Sequence, residues 1–215
     1  MVCDNQGDER LSDALSVAAF TKLQTLVADA LLKTTAHLVS TEKRALVGDI
    51  GELTLRNIKE RAGHTIVSMS DKNADRPKNE LANDLITVSP DGKMEVFDSK
   101  ATASTRRLKS VGDGGKPNLP KPTLSKVKSG AVQLSDEYNE SRISQVVEFA
   151  DRDTGDAPQS IAVKINLKSQ TYQEWLVDAS GRMTQPLGGA MDCSLEIAEA
   201  IAELSTSGRP GGASG

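Results

Sequence analysis

Apolar residues recur at helical spacing from residue 9 to 39, where Leu11, Leu15, Ala18, Ala19, Leu23, Leu26, Val27, Ala30, Leu31 and Leu38 form one stripe. The spacing predicts a leading helix. Ser40 or Thr41 caps a second, with Arg44, Leu46, Ile50, Leu53, Leu55 and Ile58 inside it and Gly63 as its stop. Gly48 and Gly51 are poor helix formers, and their presence beside Glu52 predicts close backbone packing there. His64 to Met69 reads as a short apolar strand, followed by a polar, irregular segment from Ser70 to Asn79. Asn83 to Val88 and Met94 to Lys100 then form a β-hairpin across the turn residues Pro90, Asp91 and Gly92.

Residues 101 to 128 are too rich in glycine and proline for extended regular structure, and read as a loop. Helical spacing resumes at Ala131 and continues through Val132, Leu134, Tyr138, Ile143, Val146, Val147 and Phe149. Ser160 to Lys168 alternates Ile161, Val163, Ile165 and Leu167 with polar residues, the pattern of a half-buried strand. Tyr172 to Val177 is its expected partner, Leu195 to Leu204 a last helix, and the Ser/Gly-rich end a disordered tail. Two helices, a strand, a hairpin, a loop, a helix, two strands and a helix imply an α/β or α+β class, with helices packed on a mixed central β-sheet. The expected division is an N-terminal helical extension (1–40), one main domain (41–205) and a tail (206–215).

A chain of 215 residues with 37% hydrophobic content can bury a substantial core. No apolar run approaches the roughly 20 residues that cross a bilayer, so no membrane partner is expected. The first residues show no basic region leading into an apolar core, so no signal peptide is visible. Cys3 and Cys193 have no metal-ligand spacing, and a disulfide between them is unsupported. The only histidines are His37 and His64, which excludes a His-rich zinc site or a histidine-nuclease motif. Both read as structural or solvated.

Net charge is −4, which does not suggest a nucleic-acid binder, but its distribution does. Between residues 100 and 128 stand Lys100, Arg106, Arg107, Lys109, Lys116, Lys121, Lys126 and Lys128 against Asp113 alone. That segment carries +7 and the remainder −11. Regional charge, more than the total, decides where a polyanion docks.

The hairpin holds the candidate chemistry. Asp98 and Lys100 are two apart on a strand and share a face, and Asp84 opens the neighbouring strand. Carboxylates that hold a metal, beside a lysine that handles water or phosphate, are minimal equipment for cutting a phosphodiester. Glu52 on the preceding helix and Gln133 on the following one complete the set. Taken singly, each has an ordinary reading: Glu52 and Gln133 as exposed helix residues, Asp98 and Lys100 as a solvated pair on an edge strand. Taken in order beside the basic segment, the nuclease reading is the stronger. Other chemistries lack their context. Gly112 to Lys116 has no flanking strand and helix for a P-loop, and no serine sits in a nucleophile motif. Six aromatic residues are too few for a base-stacking platform, and Trp175 reads as core.

Gly51-Glu52, Asn83-Asp84-Leu85 and Asp98-Ser99-Lys100 together resemble the PD-(D/E)xK nuclease superfamily, in which a helix Glu, a strand Asp and a strand (D/E)xK converge on a metal at one edge of the sheet. Gln133-Leu134-Ser135-Asp136-Glu137-Tyr138 is similar to the Gln-x-Ser-x-x-aromatic signature of bacterial polymorphic-toxin nucleases, the PoNe-like and restriction-endonuclease-like groups. The resemblance covers about residues 45 to 180. Asn83 departs from the small residue that many relatives carry there, and Asp98 from the commoner Glu. The resemblance implies a restriction-endonuclease-like core in which Asp84, Asp98 and Glu52 hold Mg²⁺ or Mn²⁺. Lys100 then positions or deprotonates the attacking water, and Gln133 orients that water or a phosphate oxygen. Arg106, Arg107, Lys109, Lys126 and Lys128 contact the nucleic acid. It further implies a DNase toxin, carried by a secretion system or larger polypeptide into a competitor's cytoplasm and neutralised by a cognate immunity protein. An RNase or tRNase of the same fold, or an inert nucleic-acid-binding domain, are the alternatives.

Overall fold

The computed structural model describes residues 19, 21–33, 36, 40–69, 84–103, 131–140 and 158–206. Helix α1 spans residues 21–33 and α2 Ser40–Arg61. Gly63 terminates α2 as its position foretells. It adopts φ 83°, its N–H bonds the Glu60 carbonyl, and the His64 N–H reaches back to the Lys59 carbonyl, which closes the helix in a Schellman motif. Strands β1 (Thr65–Met69), β2 (Leu85–Val88) and β3 (Met94–Thr102) follow as an antiparallel meander. In the β2–β3 turn the Gly92 N–H bonds the Ser89 carbonyl and Gly92 sits at φ 85°, a conformation that suits glycine.

A short helix α3 (136–140) precedes β4 (Gln159–Asn166), which pairs with β3 in parallel, Asp98 opposite Ala162 and Lys100 opposite Lys164. Strand β5 (Thr171–Val177) returns antiparallel, and β6 (Met183–Pro186) and β7 (Met191–Asp192) both pair with β5. Helix α4 (Ser194–Thr206) closes the described chain. The result is a seven-stranded mixed sheet of order β1-β2-β3-β4-β5-β6, with β7 also on β5. Its class is α+β.

Helices α1, α2 and α4 contribute to the principal core on one face of the sheet, where Val27, Leu31, Ile50, Leu55 and Ile197 meet Leu85, Phe97, Ile161, Val163 and Ile165. The opposite face carries a smaller cluster of Ile86, Val96, Leu134, Ala162, Trp175 and Met183. Trp175 is core, as expected. Strand β4 is covered on both faces, because Leu134 and Trp175 shield the side that simple alternation would leave to solvent.

Two segments depart from expectation. Residues 131–135 are not helical, although their apolar spacing suggested it. The Asp136 N–H bonds the Ala179 carbonyl, Gly181 packs on Val132 and Gln133, and Leu134 takes φ 60°, so this backbone is committed to the β5–β6 turn. Helix α3 begins only at residue 136, where the Ser135 hydroxyl accepts the Tyr138 N–H at 3.3 Å as an N-cap. The short strands β6 and β7 are the other addition. Of the basic segment expected as a loop over 101–128, Ala101 and Thr102 instead end β3, and the part from 104 on, with Arg106, Arg107, Lys109, Lys126 and Lys128, lies outside the described residues, as do His37, Cys3 and the tail from 207.

Polar and steric contacts add to the apolar packing of α2 on the sheet. Lys59, 6% exposed, pairs with Glu174 at 2.8 Å and lies 4.4 Å from the Phe97 ring centroid. His64 shares a hydrogen bond with Thr87 Oγ1 at 3.0 Å and stands edge-on to Phe97, a structural placement. Another contact is steric. A methyl group on Gly51 would collide with the Ala101 methyl of β3 and press on Ser99 Oγ at 3.3 Å. Gly51 is therefore the point of close approach that its position in a helix implied. Gly51→Ala is expected to cost about 1–3 kcal/mol, the penalty of overpacking. Adding Ala101→Gly should recover part of that loss in thermal melts. A double variant no better than Gly51→Ala alone would refute this contact.

Candidate active site

The site is assembled where β2 enters the sheet beside β3. Asp84 immediately precedes β2, and Leu85 pairs with Phe97, so Asp84 arrives next to Asp98. Its Oδ2 accepts the Ser99 main-chain N–H at 2.6 Å, which fixes the carboxylate at the strand's mouth. Alternation along β3 directs Asp98 and Lys100 to the face of the smaller cluster and Ser99 to the opposite face, against Gly51. Strand β3 is interior, between β2 and β4, and Asp98 is 4% exposed. The reading of Asp98 and Lys100 as a solvated pair on an edge strand is excluded.

Lys100 Nζ donates to Asp98 Oδ1 at 2.8 Å and stands 2.6 Å from Oδ2, so one ammonium spans the carboxylate. It also donates to Gln133 Oε1 at 3.4 Å. Gln133 comes from the turn before α3, held by the left-handed Leu134 and the contact with Gly181, rather than from a helix. Glu52, buried on α2, follows Gly51 and lies close enough that its charge acts on Asp84.

Electrostatics identify the strained member. Burial, then the charges of Asp98 and Glu52, push the Asp84 carboxyl up to about 7, against the Ser99 hydrogen bond and Lys100. Burial also raises Asp98, and Lys100 opposes it. Asp98 and Asp84 thus share the Lys100 charge, while the Glu52 charge adds to the repulsion on Asp84. Glu52, Asp84, Asp98, Lys100 and Gln133, drawn from four parts of the chain, are thus brought together.

Among the described residues no group of three His, Cys, Asp or Glu side chains is arranged to hold a metal ion as it stands. The donor chemistry nevertheless suits a hard divalent cation. Asp84, Asp98 and Glu52 carry the oxygen donors that such a cation takes, and it would offset the repulsion of Asp98 and Glu52 on Asp84. Among the described residues no helix is long and apolar enough to cross a membrane, and Cys193 is a buried free thiol.

One residue at the site has no counterpart in the sequence reading. Lys164 stands beside Lys100 across the parallel β3–β4 pair, its Nζ 5.8 Å from the Trp175 ring centroid. Alternation marks it as facing away from Ile165, but only the β3–β4 register shows which residue it neighbours. No family model matches this sequence, nor does any curated protein or solved structure.

The carboxylate crowding has a measurable consequence. An acid whose folded pKa is raised weakens the fold as pH climbs from its unfolded value to the folded one. Asp84→Asn removes the charge and keeps an oxygen for the Ser99 N–H. In metal-free buffer it should raise Tm by roughly 2–8 °C. The gain should be small at pH 4, grow through pH 5 to 7 and level off above. A lower Tm at pH 8 would contradict the assigned repulsion.

Proposed function

We propose that this chain is a metal-dependent nuclease, most simply a DNase, with its site at Asp84, Asp98, Lys100, Glu52 and Gln133. The observation that carries the reading is the Lys100 ammonium, bound to buried Asp98 and to Gln133 beside an Asp84 whose charge is disfavoured by burial and by two neighbouring acids. The order helix, three-stranded meander, short helix and parallel fourth strand supports a restriction-endonuclease-like core.

Glu52, Asp84 and Asp98 are the residues that hold Mg²⁺ or Mn²⁺. Such an ion supplies Lewis-acid polarisation of a phosphoryl oxygen and acidifies bound water. Lys100, about half exposed, presents its ammonium to the solvent side, where it offsets charge developing on the phosphate oxygens or orients the attacking water. Gln133 holds that ammonium from the far side. The Ser99 N–H keeps Asp84 in register with β3. Delivery as an interbacterial toxin, a carrier polypeptide and an immunity partner rest on the resemblance of the motifs alone.

The test is degradation of plasmid DNA with Mg²⁺ and with EDTA. Wild type should cleave only with the metal, and Asp98→Ala and Lys100→Ala should each lose roughly 100-fold or more in rate. Intact DNA with cleaved tRNA would move the substrate to RNA. Cleavage of neither would remove the enzyme reading.

A further inference from the structure

Lys164 is an unusual lysine for its position. It projects from β4 on the same face as Lys100, and the two are directly paired across the parallel strands. Adjacent strands stand about 4.8 Å apart, so two positive side chains emerge side by side. Lys100 has its counter-ion in Asp98. Among the described residues no acid pairs with Lys164. The nearby Glu174 belongs to the opposite face, where it pairs with Lys59. What Lys164 has instead is Trp175, whose ring it overlies at 5.8 Å and which is itself buried among Ala162 and Leu134. The lysine stem is thereby held against the sheet, with its ammonium over the Trp175 ring.

Two like charges side by side disfavour one another, and a half-buried ammonium that pairs with no acid among the described residues gains most from an incoming anion. Burial, followed by the Lys100 charge, lowers the pKa of Lys164, in keeping with an unmet cation. Asp98 is engaged by Lys100, and the three acids at the mouth of β2 repel an anion, so the lysine pair marks the side from which a phosphate approaches. We propose that Lys164 is a second phosphate-binding residue of this site, which grips the nucleic-acid backbone beside the phosphate facing Lys100. The inference rests on the nuclease reading and adds to it a cation carried by the sheet itself.

Trp175 is the only tryptophan in the chain, so its emission reports on this position directly. A short DNA oligonucleotide titrated in EDTA, where it stays uncleaved, should change wild-type emission saturably. Lys164→Met keeps an apolar stem over the ring and removes the charge. It should shift the binding midpoint about tenfold and reduce the slope of log affinity against log salt by about one. With Mg²⁺ the same variant should raise KM with kcat within a few-fold, and Lys164→Arg should restore both midpoint and slope. If wild type cleaves DNA but Lys164→Met binds it with an unchanged midpoint and salt slope, Lys164 is not a phosphate ligand and the nuclease reading stands. A fall in kcat with KM and slope unchanged also overturns the assignment. If wild type neither cleaves nor binds nucleic acid, the nuclease reading falls and this inference falls with it.

Discussion

The distance between α2 and β3 governs the molecule. Gly51 allows the helix to rest on Ala101 without an intervening side chain, and the next residue, Glu52, is thereby carried to the level of Asp84. The same approach seats Ile50 and Leu55, both fully buried, on Phe97 and Val163. Packing and site chemistry therefore share one constraint. A bulkier residue at position 51 would not only strain the core but also withdraw a carboxylate from the group that it completes. Glycine is costly inside a helix, by about 1 kcal/mol relative to alanine, and here that cost is offset by contact that no other residue permits.

The two faces of the sheet differ in how their lysines are partnered. On the helix-covered face Lys59 and Glu174 pair at 2.8 Å and Phe97 lies under the ammonium, so these two buried charges satisfy one another, while burial raises the pKa of nearby Glu95. A closed pair of this kind is strongly destabilising to break but offers nothing to a ligand. On the other face the charges do not close. Lys100 serves Asp98, the charges of Asp98 and of Glu52 from α2 bear on Asp84, and among the described residues Lys164 meets the Trp175 ring and pairs with no acid. Residual electrostatic imbalance of this kind is common at functional sites, and it is on this imbalance that the proposed cation on the acid side and anion on the lysine side rest.

Much of this was legible because it is local. The hairpin's turn residues and strict alternation are enough to place Asp84, Asp98 and Lys100 relative to one another, since strand period and a tight turn leave little freedom. Glu52 was legible through its neighbour, because a glycine within a helix announces contact. Residues 131–135 were misread for the converse reason. Val132 and Leu134 have spacing compatible with a helix, but their backbone is captured by residues 178–182, more than forty positions away, and a periodicity argument has no access to such a partner. Strands β6 and β7, four and two residues long, are held by pairing with β5 rather than by their own composition.

Lys164 shows where the boundary lies. Its strand, its face and its charge are all readable from alternation, and none of them distinguishes it from a solvated surface lysine. Its meaning comes from the register of a parallel pairing, which must be reached by a long crossover and is set by the whole sheet. Had β4 slipped by one residue, Val163 or Ile165 would face Lys100's neighbourhood and the lysine would turn toward α2, into the apolar core of Ile50 and Leu55. Burying an unpaired ammonium there is prohibitive, so the core that holds β4 in register also delivers Lys164 to the site. Hydrophobic packing on one face of the sheet thus decides which charges meet on the other.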